Sequence, residues 1–242
     1  MLAVADLTRD FGGARVLTGV SFVLAPGELA CLIGPNGCGK TTLFNSITGQ
    51  LAPSSGTVTL DGRSLGGLPP HRIARLGVAR KFQVPSVFED LTVGENLAVA
   101  GYPLRKQRGL AADGQRLRRL LADTRLEISV DVAAGGLAHG QRQWLEIAMV
   151  LFQQPRLLLL DEPTAGMTAK ETVATAQLIR TLCAGSAMAC LVVEHDMRFV
   201  AELGARVLVM MGGRIVADGS YDDIRRLPAV REAYLGSTRP VA

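Results

Sequence analysis

The stretch GPNGCGKTT at residues 34–42 constrains the fold of this 242-residue chain more than any other feature. It matches the pattern G-x-x-x-x-G-K-[ST], whose glycines let backbone N–H groups curl inward towards phosphate oxygens. The apolar run LACLI precedes it, and the stretch TTLFNSITG follows it. These flanks predict a buried parallel strand, a loop and a helix that ends near Gly49, so a phosphate would meet the positive end of the helix dipole. A glycine-rich turn without a ligand is the alternative interpretation.

Two side chains of the loop have chemistry suited to a nucleotide and its metal. Lys40 would reach the β- and γ-phosphates, and the Thr41 hydroxyl would bind Mg²⁺. Cys38 has two interpretations: a thiol favoured as thiolate by the helix N-terminus, whose modification blocks the site, or a small filler. The candidate phosphate contacts among the neighbouring residues are Asn36, Gly37, Cys38, Gly39 and Thr42.

A second apolar strand is predicted to carry two acids to the same edge of the sheet. The run LLLL is followed by Asp161 and Glu162, and ligands of open parallel sheets bind beyond the carboxyl ends of the strands. We expect Asp161 to hold Mg²⁺ through water and Glu162 to polarise the attacking water. Alone, this stretch would fit a solvated turn equally well. Its combination with the glycine loop favours the catalytic interpretation.

Two further polar residues follow predicted strands. The stretch CLVVE ends at His195, whose imidazole could bond a γ-phosphate and orient the nucleophile. Gln83 follows the strand-like VARKF, and its amide could sense Mg²⁺ or the water. A lone histidine is more often structural than catalytic, so the prediction for His195 depends on its place at the shared sheet edge.

Composition excludes several classes of protein. Apolar residues make up 48% of the chain and charged residues 20%, so a packed core is expected and disorder is not. No apolar run reaches the roughly eighteen residues of a membrane span, and the N-terminus does not resemble a signal peptide. The four cysteines have neither disulfide-scaffold density nor zinc spacing, which predicts a reduced, cytosolic protein.

The net charge of +4 is unevenly distributed along the chain. Residues 103–126 hold seven basic and two acidic side chains, and Leu117, Leu120 and Leu121 have the spacing of an amphipathic helix. Two interpretations stay open: a solvated helix face, or a face near anionic lipid headgroups. Nucleic acid is not expected as a partner, because aromatic residues are only 5% and none interleaves with the basic residues.

The motifs GPNGCGKTT, KFQ, LAHGQ, LLLLDEP and VEHD, in that order, resemble the ATP-binding subunits of ABC transporters over nearly the whole chain. LAHGQ just upstream of the LLLLDEP strand narrows the resemblance from P-loop ATPases in general to that family. The resemblance implies an α/β fold, in which a P-loop ATPase core with a mixed sheet and flanking helices has an N-terminal antiparallel β portion and an inserted α-helical subdomain. We expect a single domain over 1–242, with the core at 1–83 and 138–242 and the inserted subdomain at 84–137.

The resemblance also implies cofactors and partners. ATP and Mg²⁺ would bind, with Phe11 against adenine and Val16 packed nearby. Two ATP-binding subunits, identical or different, would sandwich two ATP molecules, each on one subunit's P-loop and under the other's signature motif. Hydrolysis would separate the pair and move membrane permease subunits, with a solute-binding protein involved indirectly. We therefore expect a cytoplasmic location on the inner face of the cell membrane. The signature residues are Ala138, His139, Gly140 and Gln141.

The inserted segment contains the candidate membrane contact. Its stretch VPSVFEDLTVGEN offers four apolar residues, Val84, Pro85, Val87 and Phe88. They could line a groove for a short helix of the permease, or they could be ordinary core.

Several stretches narrow the choice within the family. FGG near the N-terminus, LAHGQRQWLEIA, DEPTAGMT and REAYLG resemble the group that imports branched-chain amino acids, urea and related amides, and the urea-type subunit most closely. The alternatives are an ABC ATPase of lipopolysaccharide export and a non-transport ABC ATPase, such as an assembly scaffold or a translation factor. One P-loop, with no long heptad run and no zinc-spaced cysteines, favours transport. A P-loop kinase would leave LAHGQ unexplained.

Three residues depart from the family's usual pattern. Ala138 stands where serine is usual and removes a hydroxyl from the γ-phosphate contact, while His139 stands where glycine is usual and is a candidate substitute donor. Thr168 replaces the acid that commonly follows the DEP segment, in a loop through which the two ATP sites communicate. Since Glu162 and His195 are retained, we expect active hydrolysis. A helix is predicted from Gln141, with a buried face formed by Trp144, Leu145 and Ala148.

Overall fold

The structure, a computed structural model, describes residues 1–81, 87–108, 114–124, 126, 130–228 and 230. Gln83, Val84 and Pro85, which carry the predictions for metal sensing and for the groove, lie outside the described residues. The strands in chain order are β1 (Leu2–Phe11), β2 (Ala14–Leu24), β3 (Leu29–Ile33), β4 (Ser55–Leu60), β5 (Arg63–Ser64), β6 (Val78–Lys81), β7 (Leu157–Asp161), β8 (Ala189–Val193), β9 (Arg206–Met211) and β10 (Arg214–Gly219). The helices are α1 (Lys40–Ile47), α2 (Pro70–Arg75), α3 (Val93–Arg108), α4 (Gly114–Asp123), α5 (His139–Phe152), α6 (Ala169–Cys183), α7 (Met197–Leu203) and α8 (Tyr221–Ile224).

These strands form two sheets. The larger has the order β10-β9-β3-β8-β7-β6, in which β10 pairs antiparallel with β9 and the other neighbours are parallel. The smaller is antiparallel, with the order β2-β1-β4-β5. The α/β class, the mixed sheet with flanking helices and the N-terminal antiparallel portion are therefore confirmed.

The three apolar runs of the sequence form the centre of the larger sheet as β3, β7 and β8. A parallel strand covered on both faces needs apolar residues at every position, which is why these runs show no polar alternation. Successive side chains point to opposite faces: Leu158 and Leu160 belong to one hydrophobic cluster, whereas Leu157 and Leu159 belong to the other. Both faces of the sheet are thus packed, and its polar chemistry is confined to the strand ends.

The helix after the glycine loop starts at Lys40 and ends at Ile47. Gly49 has φ of +72°, and a Cβ built on it would lie 2.6 Å from Ile73 Cδ1. Only glycine suits a left-handed position packed this closely, so the predicted end of α1 is confirmed.

Between β6 and α5, the described residues include helices α3 and α4, and both helices contribute to the core of the larger sheet. Helix α5 packs against α3, α4 and β6. Leu120 and Leu121 of α4 are buried in the same cluster as Leu158, while Arg118 and Arg119 are exposed. The predicted amphipathic helix is confirmed. In the described part of the chain, no helix is both long enough and apolar enough to cross a membrane.

Candidate nucleotide-binding site

The glycine loop joins β3 to α1 in a conformation that its glycines make possible. Gly37 and Gly39 have φ of +78° and +109°, in the left-handed region where residues with a Cβ are strained. A Cβ on Gly39 would also lie 2.9 Å from Leu17 Cδ2 and 3.0 Å from the Val16 carbonyl oxygen. The loop is therefore pressed against β2, which brings Val16 to its rim.

Lys40 is folded over the loop that precedes it. Its ammonium group donates hydrogen bonds to the carbonyl oxygens of Gly34, at 2.6 Å, and Pro35, at 3.1 Å, and the residue is only 7% exposed. A buried ammonium without partners would be very costly, and these carbonyls meet that need. The charge is therefore held at the first turn of α1, against the start of the glycine loop.

Cys38 lies under the loop and not on its open side. It is 7% exposed, and a Cβ on Gly34 would come within 2.7 Å of its sulfur. Burial raises the pKa of the Cys38 thiol, and the nearby Lys40 ammonium opposes this shift only in part. This environment supports the small-filler interpretation over the activated thiol.

Asp161 ends β7 and is held by an arginine that sequence reasoning missed. Arg80 of β6 donates from Nη2 to Asp161 Oδ2 at 2.7 Å and from Nη1 to Asn45 Oδ1 at 2.6 Å. Both members of the ion pair are almost fully buried, and the guanidinium lies 5.3 Å from the centre of the Phe44 ring. The pair fixes the carboxylate at the strand end, between the edge of β6 and helix α1.

Glu162 and His195 meet beyond the ends of β7 and β8. Glu162 has φ of +46°, a left-handed conformation that is uncommon for a residue with a Cβ and costs of the order of 1–3 kcal/mol. Its N–H donates to the Val193 carbonyl oxygen at 3.0 Å. His195 Nδ1 lies 3.6 Å from Glu162 Oε1, and 59% of the histidine side chain is exposed. The two side chains therefore face the same open region.

One cavity of about 160 Å³ joins the glycine loop to the acids. Asp161 and Glu162 line it together with most of the predicted loop residues. The sequence-predicted residues that line it are Val16, Asn36, Gly37, Gly39, Lys40, Thr41, Thr42, Asp161 and Glu162. The glycine loop and the two acids after β7 therefore meet at one edge of the sheet, as the sequence predicts.

Phe11 is the last residue of β1 and pairs with Ala14 of β2. Val16 follows Ala14 by two residues on the same strand. The ring is 44% exposed, and the Arg9 guanidinium lies 4.7 Å from its centre. An exposed aromatic residue carrying a cation on one face can still stack a flat heterocycle on the other.

The signature residues sit at the N-terminus of α5, away from this cavity. Ala138 precedes the helix without a side-chain cap, and Gln141 Oε1 accepts a hydrogen bond from the Ala138 N–H at 3.1 Å. His139 Nε2 lies 3.0 Å from the carbonyl oxygen of Ala165, in the loop between β7 and α6. None of residues 138–141, all of them described, lines the cavity at the glycine loop. Within one chain, the signature residues and the cavity of the glycine loop are therefore separate.

Thr168 caps α6. Its N–H and Oγ1 donate to Glu171 Oε2 at 2.9 and 2.7 Å, and Oγ1 accepts from the Glu171 N–H at 3.4 Å. These hydrogen bonds hold the pKa of the Glu171 carboxyl below its usual value. A Cβ on Gly140 would lie 2.5 Å from Glu171 Oε1, so the start of α5 packs directly against the capping residues of α6.

Helix α5 is more deeply buried than a single apolar face predicts. Leu145 and Ala148 are buried as expected, and Trp144 is half-buried and donates to Thr175 Oγ1 at 2.9 Å. Glu146 is buried as well, and its Oε2 lies 3.1 Å from Lys81 Nζ at the end of β6. No local sequence pattern predicts this ion pair, because its members are 65 positions apart.

Two family models match the chain. One, described as ABC transporter, matches residues 17–165, and one described as branched-chain amino acid ATP-binding cassette transporter matches residues 214–239. The high-affinity branched-chain amino acid transport ATP-binding protein BraF of Pseudomonas aeruginosa is 39% identical over 98% of each chain. The lipopolysaccharide export system ATP-binding protein LptB of Acidithiobacillus ferridurans is 33% identical over 98% of this chain and 97% of that protein. A crystal structure of the ADP conformation of an ATP-binding cassette superposes with a TM-score of 0.84, at 27% identity over 98% of each chain.

Proposed function

This chain belongs to the ABC transporter family of ATP-hydrolysing, ATP-binding subunits, and from that premise we propose that it powers import of branched-chain amino acids or related amides, urea included. The observation that carries the choice of solute class is the C-terminal match at residues 214–239 to a branched-chain amino acid model. The 39% identity to BraF over nearly the full length supports it. Urea and short amides rest on the sequence stretches alone.

The glycine loop supplies the phosphate site of the proposed ATPase. Lys40 would exchange its hydrogen bonds to the Gly34 and Pro35 carbonyls for bonds to phosphate oxygens, because an anion is a stronger acceptor for an ammonium group. The backbone N–H groups of the loop and the N-terminus of α1 would surround the same oxygens. Phe11 and Val16 would contact the adenine base from the β1–β2 side.

The donors at the cavity fit a hard divalent cation. Thr41 and Asp161 both line this cavity and have side-chain oxygen atoms, and oxygen is the ligand type that Mg²⁺ prefers. A bound Mg²⁺ would neutralise charge on the phosphates. Arg80 orients the Asp161 carboxylate, so its ion pair would set where that charge lies. Gln83 stays a candidate ligand from its sequence position.

Glu162 and His195 would carry the hydrolytic step. Glu162 would accept a proton from the attacking water, and His195 would donate a hydrogen bond to the γ-phosphate and keep water and phosphate aligned. Their 3.6 Å separation and shared opening make this division of roles possible within one site. The water oxygen would form a bond to the γ-phosphorus while the bond from that phosphorus to the β–γ bridging oxygen breaks, which would release ADP and inorganic phosphate.

A second subunit would complete the site. Residues Ala138, His139, Gly140 and Gln141 lie outside the cavity of their own chain, yet they form a helix start suited to a phosphate. In a dimer, each chain's helix α5 would cover the ATP on the other's glycine loop. We place the nucleotide-binding core at 1–83 and 138–242 and the inserted helical subdomain at 84–137.

The surface beside β6 is the proposed docking site for a permease subunit. A cavity of about 330 Å³ opens there between α2, the end of α1 and α5, and it is lined by Ile73, Ala74, Val78 and Val150 among others. Phe88, in the segment that follows, is 51% exposed, while Val87 packs against the core. A protein bound in this way would be peripheral on the inner face of the membrane, with a solute-binding protein reached only through the permease.

Transport assays with defined solutes test the proposal. The chain would be co-expressed with the membrane subunits encoded beside it and assayed for ATP-dependent uptake of leucine, isoleucine, valine, urea and acetamide. A complex carrying Glu162→Gln provides the matched inactive control. Uptake of branched-chain amino acids or amides only by the active complex is the expected result, and an active ATPase that moves none of them would contradict the solute assignment.

Lipopolysaccharide export is the second candidate, favoured by the 33% identity to LptB. Copurification with membrane subunits and an ATPase assay distinguish export from import. A chain that copurifies with export membrane subunits and whose ATPase activity responds to lipopolysaccharide, and not to amino acids or amides, would support export.

A further inference from the structure

Glu194 is a buried carboxylate that the proposed hydrolytic roles leave unused. It directly follows β8 and is only 1% exposed. A buried carboxylate is costly unless its oxygens accept several hydrogen bonds, so its partners indicate what it holds in place. All of those partners in the described part of the chain belong to the two loops that carry Glu162 and His195.

The two oxygens of Glu194 bind different loops. Oε1 accepts from the Thr164 N–H at 3.1 Å and from the Thr164 hydroxyl at 2.6 Å. Oε2 accepts from the His195 N–H at 3.1 Å and lies 3.9 Å from His195 Nδ1. One side chain therefore joins the loop after β7 to the loop after β8.

The Thr164 side of this link fixes the backbone of Glu162. Ala165 N–H donates to the Glu162 carbonyl oxygen at 3.2 Å, which closes a tight turn around Thr164. Glu162 itself has φ of +46° in that turn. Surrounding contacts must hold a strained residue in place, and the Glu194 carboxylate anchors the turn at its centre.

The same turn reaches the signature motif. The Ala165 carbonyl oxygen is the atom that contacts His139 Nε2 at 3.0 Å. A continuous series of contacts thus runs from His195 through Glu194 and Thr164 to the N-terminus of α5.

We propose that Glu194 is a positioning residue that sets Glu162 and His195 in register for attack on the γ-phosphate and ties both to the signature helix. The inference rests on the proposed hydrolytic site. Glu194 does not line the nucleotide cavity, so it acts through Glu162, which does, and through His195, whose Nδ1 lies 3.6 Å from Glu162 Oε1. Its loss is expected to slow the chemical step and leave ATP binding intact.

Glu194→Gln in the full chain is the first test. Glutamine has one acceptor oxygen, so one of the two loops loses its hydrogen bonds. We expect kcat to fall about 10- to 100-fold, as misplacement of reacting groups does, with KM for ATP within about twofold of wild type. The Glu162→Gln/Glu194→Gln double variant should still form an ATP-bound dimer on gel filtration. Glu28→Gln is the matched control, because Glu28 accepts from Arg206 at 2.7 Å just before β3 begins, at the other end of the sheet.

Thr164 supplies a second pair of variants for the case that Glu194→Gln folds poorly. Thr164→Val removes the hydroxyl donor at nearly constant shape, and Thr164→Ser keeps it. We expect Thr164→Val to lower kcat without raising KM and Thr164→Ser to retain most of the activity. Combining Thr164→Val with Glu194→Gln should cost less than the product of the single effects, because both break one link.

Three results separate the possibilities. A wild-type chain without ATPase activity contradicts the proposed function itself. An active wild type with equally active Glu194→Gln and Thr164→Val variants overturns only the role of Glu194. Variants that unfold at lower temperature but keep the kcat of the folded fraction would also overturn it, because they show that Glu194 only stabilises the fold.

Discussion

The glycine loop and the N-terminus of α5 both present backbone suited to phosphate, but they are built in opposite ways. The loop is packed against β2 and β9, and the carbonyl groups that accept hydrogen bonds from Lys40 lie within six residues of it in sequence. The start of α5 instead depends on distant contacts, from His139 to Ala165 and from Gly140 to Glu171. The first is a self-contained site. The second is shaped by the loop that follows Glu162, the proposed catalytic base, so a change at Glu162 is expected to alter the start of α5.

The largest effect is expected from replacing Glu162, which lines the cavity of the glycine loop and precedes the loop that contacts α5. Glu162→Gln should lower kcat by about 100- to 10,000-fold, because the attacking water loses its base, while both phosphate-binding regions stay intact. An ATP-bound dimer should therefore accumulate on gel filtration. A monomer that holds ATP would contradict the sandwich in which the start of α5 contacts the partner's nucleotide.

A substitution in the glycine loop should lower ATP turnover almost as much. Lys40→Ala removes the ammonium group from the loop, and we expect a loss of about 100- to 1,000-fold in ATP turnover. Malachite-green phosphate release measures it, with Arg214→Ala on the exposed face of β10 as the control. Unchanged turnover would contradict the assignment of this loop as the phosphate site.

A smaller effect is expected in the second region. If His139 replaces the hydroxyl that Ala138 lacks, His139→Ala removes one hydrogen bond worth about 0.5–1.5 kcal/mol, or roughly 2- to 10-fold in turnover. Adding Ala138→Ser to the His139→Ala variant should restore turnover, because the serine hydroxyl supplies a hydrogen-bond donor. Equal ATP affinity and turnover in His139→Ala would instead leave His139 with its contact to Ala165 alone.

The smallest expected effect concerns the cap beneath Gly140. The pKa of Glu171 is lowered in the folded chain, mainly by hydrogen bonds from Thr168, so its stabilising contribution is present above the carboxyl's ordinary pKa and is lost as pH falls through the lowered value. The difference in unfolding temperature between wild type and Glu171→Gln should therefore be present at neutral pH and vanish in acid. A difference independent of pH would show that the charge of Glu171 does not matter.

The self-contained region was also the one that the sequence predicted well. Strand β3, the loop and α1 follow each other directly, and glycines at left-handed positions leave a pattern that is visible without a structure. The two acids and His195 were predictable because strands of a parallel sheet end at a common edge.

The buried ion pairs were not predictable in the same way. Arg80 binds Asp161 across 81 positions, and Lys81 binds Glu146 across 65. Sequence alone shows neither the partner nor the burial of a charged residue inside a strand or helix. The contact of His139 with Ala165 was missed for the same reason: it depends on how α5 lies against the loop after β7.

The left-handed backbone at Glu162 has a consequence for how such a chain evolves. A residue with a Cβ at φ of +46° holds a conformation that glycine adopts without strain. With Glu162 in its proposed role as base, Glu162→Gly is expected to relieve this strain and abolish hydrolysis, whereas a β-branched residue is expected to disrupt the turn and abolish hydrolysis as well. Selection for activity therefore keeps the chain below its attainable stability at this position. In a homologue that no longer needs to hydrolyse ATP, the single substitution Glu162→Gly would be expected to give a more stable, inactive protein.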